Sequence, residues 1–434
     1  MRLFLVFAAA ALASCHSKTP ACQGVSSTCA ALDEGASESK IAAAFATAPP
    51  GSTIAFGEGT FRFTNTVNLA AKGITIKGAG MDKTVLDFSG QTAGSGEGLY
   101  VGAGSDGVVM VDFGVRDTKG DGIKVIGSAG VTFRRVKASW KNPDVKTHGG
   151  YGLYPVKSTN VLIEDSVVLG AADAGIYVGQ SKTIIVRRNR VEQNVAGIEI
   201  ENSFDADLTE NTAQDNTAGI LIFDLPNLQQ QGGHNVRVFN NTLRANNRTN
   251  FGAAGSTVSI VPAGTGLLVV ANHDVEVFGN QILDNKTGGS GVLSYLITGY
   301  DPKQDPTYYP FPRRVHIHDN TFVGNGGFPD QLNAGLGTLL YLFRDSFSGK
   351  VVPAELYDGI VDASVTGPAG NPMQICFKNN ANATFVNLHA DQFNAQGTNL
   401  PQVKSEDATA FRCDLPALAA VTIAAPPDVA AGGD

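Results

Sequence analysis

The feature that most constrains the fold of this sequence is a short phrase, glycine–apolar–any–apolar, that recurs along the middle of the chain. Clear copies begin at Gly98, Gly122, Gly152, Gly175, Gly197 and Gly219, and weaker copies begin at Gly266 and Gly291. Most successive copies are about 22 to 25 residues apart. Alternating apolar residues without helical spacing predict short strands, and a fixed period of this length predicts a solenoid.

A second phrase, apolar–any–apolar followed by an asparagine, lies between the copies of the first, and another asparagine follows five residues later. The two series are Asn189, Asn211, Asn241, Asn280 and Asn320, and Asn194, Asn216, Asn246, Asn285 and Asn325. Asparagine tolerates the left-handed conformation at bends, and its amide can bond to an asparagine in the next repeat. We interpret both series as structural.

These patterns predict an all-β protein, a single-stranded right-handed parallel β-helix with three short strands per rung. Residues 38–47 can form a short N-terminal capping helix, stopped by Pro49-Pro50-Gly51. We expect a signal peptide over 1–14, a linker over 15–36, the β-helix over 37–338, terminal rungs and a C-terminal cap over 339–423, and a disordered tail over 424–434.

The first residues are typical of an export signal. Arg2 is followed by an apolar run over 3–12 that is too short to span a bilayer as a helix. The sequence Leu12-Ala13-Ser14-Cys15 resembles the bacterial lipobox, in which the cysteine is lipidated. His16 in place of an aspartate favours the outer membrane. We therefore expect a lipid-anchored protein of the cell envelope, with an ordinary secretory signal as the alternative.

Export implies an oxidising compartment, so the remaining cysteines are expected in disulfides. Three pairings are possible, and proximity favours Cys22–Cys29 and Cys376–Cys413. No histidine lies near these cysteines and no C-x-x-C is present, which argues against zinc.

Charge and composition limit the partners. The chain carries 32 Lys and Arg against 40 Asp and Glu, a net charge of −8. Nucleic-acid binding needs a basic surface, so we expect none. We also expect a monomer without a cofactor.

The expected binding face is the outward side of the glycine-led strands. Its outward residues are Tyr100, Lys124, Tyr154, Tyr177, Glu199, Leu221, Leu268 and Leu293, with Lys157, Gln180, Glu201, Asn202 and Asp224 beside them. Insertions flank these strands, as is usual around a ligand site in a solenoid. Tyrosines beside charged groups suit a chain of sugars, which stack on rings and form hydrogen bonds. We therefore expect a polysaccharide or an envelope protein as partner.

Two further features stand outside that face. Tyr300, Tyr308, Tyr309 and Phe311 are expected in a loop that closes over the groove. His316 and His318 project from one side of a strand, but no further ligands are visible, so we expect a plain surface strand and no metal.

Several stretches carry a resemblance to known proteins, namely residues 151–155, 173–181, 197–203 and 315–320. Through them the chain resembles the secreted parallel β-helix superfamily of pectin lyase-like enzymes, NosD-type periplasmic proteins and mannuronan C5-epimerases. It looks most like bacterial β-helix lipoproteins whose biochemical role is unknown. The resemblance implies the β-helix fold and leaves the activity open.

The epimerases carry a Y-G-F-D-P-H motif whose aspartate and histidine serve catalysis. The matching stretch here keeps Tyr151 and Pro155 but has Tyr154 and Val156 at the aspartate and histidine positions. The expected function is carbohydrate or partner binding without proven catalysis.

Three alternatives remain for the function. The first is a uronate lyase or epimerase-like enzyme that uses Tyr151 with Lys124 or Lys157 as proton acceptor and positive charge. The second is glycoside hydrolysis, for which the carboxylate of Glu199 pairs with that of Glu201 or Asp224. The third is NosD-type metal handling through the two histidines described above.

Overall fold

The computed structural model describes residues 21–142, 144–332 and 335–424, and in them the chain winds into a parallel β-helix. A twenty-stranded sheet, sheet A, and an eleven-stranded sheet, sheet B, form its walls. The expected signal peptide, Cys15 and the tail from residue 425 lie outside the described residues.

Sheet B consists of Val67–Leu69, Leu99–Val101, Ile123–Ile126, Leu153–Val156, Ala174–Gly179, Ala196–Glu201, Ala218–Phe223, Thr265–Val270, Gly288–Leu293, Glu355–Tyr357 and Phe385–Asn387. Sheet A consists of Cys29–Leu32, Thr53–Phe56, Gly59–Arg62, Thr75–Lys77, Thr84–Asp87, Val109–Arg116, Ala129–Ser139, Thr159–Glu164, Val167–Leu169, Lys182–Arg187, Arg190–Glu192, Phe204–Thr209, Thr212–Gln214, His234–Phe239, Thr242–Arg244, His273–Phe278, Gln281–Leu283, Arg313–His318, Thr321–Val323 and Ile375–Lys378.

The helices are short. The α-helices are Glu38–Ala46, Leu336–Phe343 and Leu400–Val403, and the 3-10 turns are Thr257–Ile260, Tyr295–Thr298, Pro302–Gln304, Arg344–Ser346, Ser348–Lys350, Ala390–Gln392 and Thr409–Phe411. Within the residues described above, no helix combines the length and apolar character needed to cross a membrane.

A regular rung contributes one strand to sheet B and two to sheet A. Ala174–Gly179, Lys182–Arg187 and Arg190–Glu192 make one rung, and the next begins at Ala196–Glu201. Strands of the same kind pair in parallel and in register from rung to rung. This confirms three strands per rung.

The repeated glycine has a steric cause. A Cβ at Gly152 would lie 2.6 Å from the carbonyl oxygen of Gly175, and one at Gly197 would lie 2.6 Å from that of Gly219. Real Cβ contacts are essentially never this short. The glycines therefore form a column in which each residue lies against the backbone of the next rung, and any side chain would separate the rungs.

The interior is a stack of apolar side chains. Ile123, Leu153, Ile176, Ile198 and Ile220 follow one another on consecutive rungs, and all are fully buried. Burial of such side chains supplies the main stabilisation of the coil.

The two asparagine series form buried ladders, as expected. The backbone N–H and the side-chain amide of Asn189 both donate to Oδ1 of Asn211, at 3.0 Å each, and Asn211 repeats this with Asn241. One detail of the expectation is wrong. The residue before each ladder asparagine, such as Arg188 with φ of 54°, adopts the left-handed conformation, whereas the asparagine does not.

The N-terminal end is closed earlier than expected. The strand Cys29–Leu32, inside the expected linker, pairs in parallel with Thr53–Phe56. The predicted helix forms over Glu38–Ala46; Ser37 accepts a hydrogen bond from its first turn, and Ile41 and Phe45 are buried against the core. The linker therefore ends before residue 29, because its last residues pair with the first rung.

The C-terminal end folds back over sheet A. The disulfides pair Cys22 with Cys29 and Cys376 with Cys413, as proximity favoured. Beyond Cys413 the backbone N–H of Leu418 donates to Glu276. The last described residues therefore lie across the outer surface of sheet A.

Candidate functional site

The outward residues of sheet B form one file along the solenoid, as predicted. Parallel register places Tyr100 beside Lys124, Lys124 beside Tyr154, and Tyr177 beside Glu199. Leu153 pairs with Ile176, so Tyr154 and Tyr177 are neighbours as well. Side chains distant in sequence are therefore brought to the spacing of adjacent strands, about 4.8 Å.

The end of this file differs from the prediction. Gly291, and not Leu293, lies opposite Leu268, because Leu293 is in register with Val270. The glycine of the column at this rung is Gly289, whose carbonyl oxygen would lie 2.3 Å from a Cβ at Gly266. Gly288, Gly289 and Gly291 lie within four residues, so the sequence pattern alone could not decide which of them begins the repeated phrase.

Three tyrosines make a compact cluster at the centre of the file. The ring of Tyr151 lies 4.5 Å from that of Tyr154 and 4.4 Å from that of Tyr177, and the last two are 4.9 Å apart. Tyr177 is only 4% exposed, whereas Tyr151 and Tyr154 remain partly accessible. Tyr177 therefore supports the other two rings and offers no stacking face of its own, contrary to expectation.

Carboxylates surround this cluster. Glu199 and Glu201 were expected, but Glu97, Asp121 and Asp173 were missed. Glu97 and Asp121 each stand immediately before a glycine of the column, the position that Tyr151 occupies on the next rung. An acidic residue directly before the glycine was therefore the signal for Glu97 and Asp121, whereas Asp173 stands two residues before Gly175 and lacks it.

Lys124 balances part of this charge. The ammonium of Lys124 lies 3.8 Å from a carboxylate oxygen of Glu97 and 3.8 Å from one of Asp121. It also lies over the ring of Tyr154, 4.8 Å from its centroid. Lys124 and Tyr151 thus both lie against the ring of Tyr154.

Burial of so many acids changes their protonation. Burial, together with the charges of Glu201 and Asp121, raises the pKa of Asp173 to about 8. Burial raises the pKa of Glu201 to about 7, against a hydrogen bond from Tyr177 that lowers it. Burial also raises the pKa of Asp121 to about 6, although Lys124 opposes the change.

Glu199 has the most unfavourable environment. It is 2% exposed, and burial with the charges of Asp173 and Glu201 raises its pKa well above the usual range. Within the described part of the chain, Oε1 of Glu199 and Oδ1 of Asp173 have no hydrogen-bond partner. A buried polar atom without a partner costs free energy. The fold therefore maintains this cluster at the expense of stability, as functional sites do.

Two predicted residues belong elsewhere. The ammonium of Lys157 donates to Gln229 at 2.8 Å and lines a separate depression with Gln180 and Lys182. The carboxylate of Asp224 is fully buried and accepts from the N–H groups of Gly232 and Gly233. Lys157 therefore does not join Lys124 and Tyr151, and Asp224 anchors a loop.

The tyrosine-rich loop covers part of the file. The hydroxyl of Tyr308 donates to the backbone oxygen of Asp224, and the rings of Tyr295, Tyr300 and Tyr308 lie 5.3 to 5.7 Å apart. Tyr309 and Phe311 pack instead against the apolar interior of the solenoid. The ring of Tyr309 also contacts that of His273. Only Tyr300 and Tyr308 of the four expected residues contribute to the cover.

The remainder of the file is apolar. Leu221 is fully buried, and a cavity of about 210 Å³ lies over the later rungs beside Leu268, Gly291 and Leu356. The acidic cluster is not part of its lining. The polar site is therefore short and lies on the rungs that contain Tyr100 to Glu201.

A second group of polar side chains lies on sheet A. His316, His318 and Glu276 each offer one ligand atom, and these atoms lie within 4.8 Å of one another. The sequence analysis singled out the two histidines of this group, but it could not identify Glu276 as the third member.

Comparison with known proteins agrees with this fold. Residues 72–227 match the family model described as "Right handed beta helix region". The A-module of a mannuronan C-5 epimerase from Azotobacter vinelandii superposes with a TM-score of 0.46 and 17% identity, covering 79% of this chain and 89% of that module. No curated protein matches the sequence.

Two other solved structures are similar. An alginate lyase from Paenibacillus gives a TM-score of 0.37 and 18% identity, covering 59% of this chain and 95% of its own. The tailspike protein of E. coli bacteriophage HK620 gives a TM-score of 0.42 and 12% identity, and the superposition covers 76% of this chain and 59% of the tailspike chain. The match of residues 72–227 to the model of a right-handed β-helix region agrees with the parallel β-helix described above.

Proposed function

We propose that this protein binds a neutral carbohydrate on the outer face of sheet B and cleaves it by acid–base catalysis, with Asp173 and Glu201 as the proton-donating carboxyl groups and Asp121 as the ionised carboxylate. The observation that carries the proposal is the buried acidic cluster around Tyr151, in which one oxygen of Glu199 and one of Asp173 lack a hydrogen-bond partner and the carboxyl pKa values are raised. The reaction class is glycoside hydrolysis.

A structural role explains this cluster poorly. Other buried acids of the fold have partners: Glu164 pairs with Arg134 and Arg187. Asp224 accepts from two backbone N–H groups. Neither Glu199 nor Asp173 has such a cation among the described residues, and the charge of Asp173 raises the pKa of Glu199. Groups held in this state have the properties required for proton transfer near neutral pH.

The chemistry of the surroundings suits a sugar. The partly exposed rings of Tyr151 and Tyr154 offer flat apolar surface, and the carboxylates beside them accept hydrogen bonds from hydroxyl groups. The file is open at Tyr100 and Lys124 and closed at Leu221. A carbohydrate chain would therefore enter from the N-terminal rungs and end near Glu201.

The charge of the site favours a neutral substrate over a uronate. Lys124 is the one cation in contact with the cluster among the described residues, and it is shared between Glu97 and Asp121. Lyase or epimerase chemistry needs positive charge to neutralise the substrate carboxylate. Because Lys157 lies in another depression, that charge is missing, and the uronate alternative is disfavoured.

The raised pKa values divide the roles. Near neutral pH, Asp173 and Glu201 hold a proton for much of the time and can donate it to a leaving oxygen. Asp121, with a pKa of about 6, is mostly ionised and can accept one or stabilise positive charge on the sugar.

The proposed location is the cell envelope, with a lipid on Cys15. This part rests on the sequence of residues 2–16 alone. Metabolic labelling with a radioactive fatty acid tests it: the wild type incorporates label and Cys15→Ser does not. Equal labelling of both proteins would contradict the anchor.

The catalytic proposal is tested by incubating the purified protein with neutral glycans and, in parallel, with uronate polymers. We expect new reducing ends from a neutral glycan, lost in Glu201→Gln and Asp173→Asn, with glycan binding retained. Glu192→Gln, which changes a buried carboxyl on sheet A, is the matched control. New double bonds from a uronate, or unchanged cleavage by both variants, would overturn the proposal. Retention of glycans without cleavage would leave binding as the function and refute catalysis.

A further inference from the structure

We propose that His316, His318 and Glu276 form a binding site for one divalent transition-metal ion of the borderline kind, such as Zn²⁺. This site lies on sheet A, on other rungs than the acidic cluster, and is independent of the proposed function. Two imidazoles and one carboxylate are a typical ligand set for such ions.

The backbone places the three side chains together. His316 and His318 are alternate residues of Arg313–His318 and therefore leave the same face of the strand. Parallel register sets Glu276 directly opposite His316 on the neighbouring rung. The two imidazole rings stack 4.1 Å apart, and one ligand atom from each of the three residues lies within 4.8 Å of the others.

Two of the ligands are oriented by groups outside the site. Oδ2 of Asp319 lies 2.8 Å from Nδ1 of His318, so that nitrogen carries the proton and Nε2 is free to bind metal. Nε2 faces Oε1 of Glu276 at 3.3 Å. Oε2 of Glu276 accepts from the backbone N–H of Leu418, which leaves Oε1 as the ligand atom.

The third ligand has no role without an ion. His316 is 7% exposed, and neither of its ring nitrogens has a hydrogen-bond partner among the residues that the structure describes. A buried imidazole with both nitrogens unsatisfied is costly. A metal bound to one nitrogen would satisfy that atom and offset the cost.

Neighbouring charges leave the site free for a cation. Lys378 is in register with His318, but its ammonium pairs with Asp414. Arg237, in register with Glu276, lies over the rings of Phe239 and Phe278. The metal would join two rungs of sheet A and, through Glu276, hold the C-terminal segment at Leu418.

Isothermal titration of the chelator-treated, purified protein with Zn²⁺ tests the proposal. We expect one ion per chain, no stoichiometric binding in His316→Asn or His318→Asn, and binding unchanged in the control His234→Asn. Asp319→Asn keeps all three ligands and should weaken binding by about 10- to 100-fold. Co²⁺ absorption provides a second measurement, since its visible bands report nitrogen ligation directly.

Circular dichroism of each variant separates loss of the site from loss of the fold. If His316→Asn does not fold, Glu276→Gln and Asp319→Asn decide the question on their own. Absence of stoichiometric Zn²⁺ and Co²⁺ binding by the wild type would overturn the proposal, as would wild-type affinity in folded His318→Asn. Neither result depends on glycan cleavage, so the two proposals fail separately.

Discussion

The hydroxyl of Tyr177 donates a hydrogen bond to Oε1 of Glu201 at 2.8 Å, although its register partner on the next rung is Glu199. The ring reaches Glu201 by leaning over Gly179, which is the register partner of Glu201. A Cβ at Gly179 would lie 2.2 Å from the tyrosine hydroxyl. The glycine thus creates the space in which Tyr177 and the carboxyl of Glu201 meet.

Gly179→Ala should therefore displace Tyr177 and break this hydrogen bond. We expect a loss of about 1–3 kcal/mol in the free energy of unfolding, because the added methyl overlaps the ring. Urea unfolding measures it. Gly102→Ala is the matched control, since its Cβ would lie 3.6 Å from the nearest atom, an ordinary contact, and should change stability by less than about 0.5 kcal/mol. Equal effects of the two substitutions would contradict the steric argument.

Tyr177→Phe should raise the pKa of Glu201 above its value of about 7. The tyrosine hydroxyl stabilises the ionised carboxylate, so its removal favours the protonated form. If Glu201 is the general acid, the alkaline limb of the pH–rate profile moves to higher pH. Tyr100→Phe, on a distant rung of the same file, should leave the limb in place. A shift to lower pH would exclude this role for Glu201.

Glu201 should also make stability depend on pH. Its pKa rises from an ordinary value of 4.5 to about 7 on folding, so its contribution is fully present below about pH 4.5 and is lost as pH rises through about 7. Glu201→Gln removes that loss and should gain up to about 3 kcal/mol on the wild type between about pH 5 and pH 8. Urea unfolding at both pH values measures it, with exposed Glu210→Gln as control. If the free energies of unfolding of the wild type and Glu201→Gln change with pH in the same way, folding does not raise the pKa of Glu201 and the prediction is wrong.

Asn211→Ala should break the first asparagine ladder between Asn189 and Asn241. It removes the acceptor of the backbone N–H of Asn189, one of the two acceptors of its side-chain amide, and the side-chain donor to the carbonyl of Val186, all buried. We expect a loss of about 3 kcal/mol in the free energy of unfolding, measured in urea. Exposed Asn142→Ala is the control. A loss no larger than that of the control would mean that water or neighbouring groups replace the ladder.

The two disulfides should differ in their contributions. Cys376–Cys413 closes a loop with a sequence separation of 37, against 7 for Cys22–Cys29. Chain entropy predicts that replacing the first pair by serine costs about 4 kcal/mol and the second about 2 kcal/mol. Denaturant unfolding of the two double variants measures the difference. A larger loss from the N-terminal pair would point to strain or packing rather than loop closure.

The fold could be predicted because each rung repeats the same local solution. A glycine is required wherever backbones touch between rungs, and an asparagine wherever a bend must bond to the bend above, so both recur in the sequence. The misplacement of Leu293 arose where Gly288, Gly289 and Gly291 offer several equivalent starts. Pairing with Thr265–Val270 decides among them.

The site was less predictable because side-chain direction and cover depend on distant residues. Lys157 directly follows the strand Leu153–Val156 in sequence, but its φ of 52° turns the chain away from sheet B. Tyr177 is buried among side chains that include Tyr308, which lies far along the chain. The pairing of Glu276 with His316 similarly depends on strand register, which the spacing of the histidines does not contain.

The file of side chains on sheet B also has a fixed spacing. Since the glycine column fixes the distance between rungs, Tyr100, Lys124, Tyr154 and Tyr177 stand at regular intervals of about 4.8 Å. A linear molecule lying along them would meet a different chemical group at each interval. Insertion or removal of one whole rung should then move the reacting carboxyls by one interval along the ligand and change the length of the product, without altering any group that touches it.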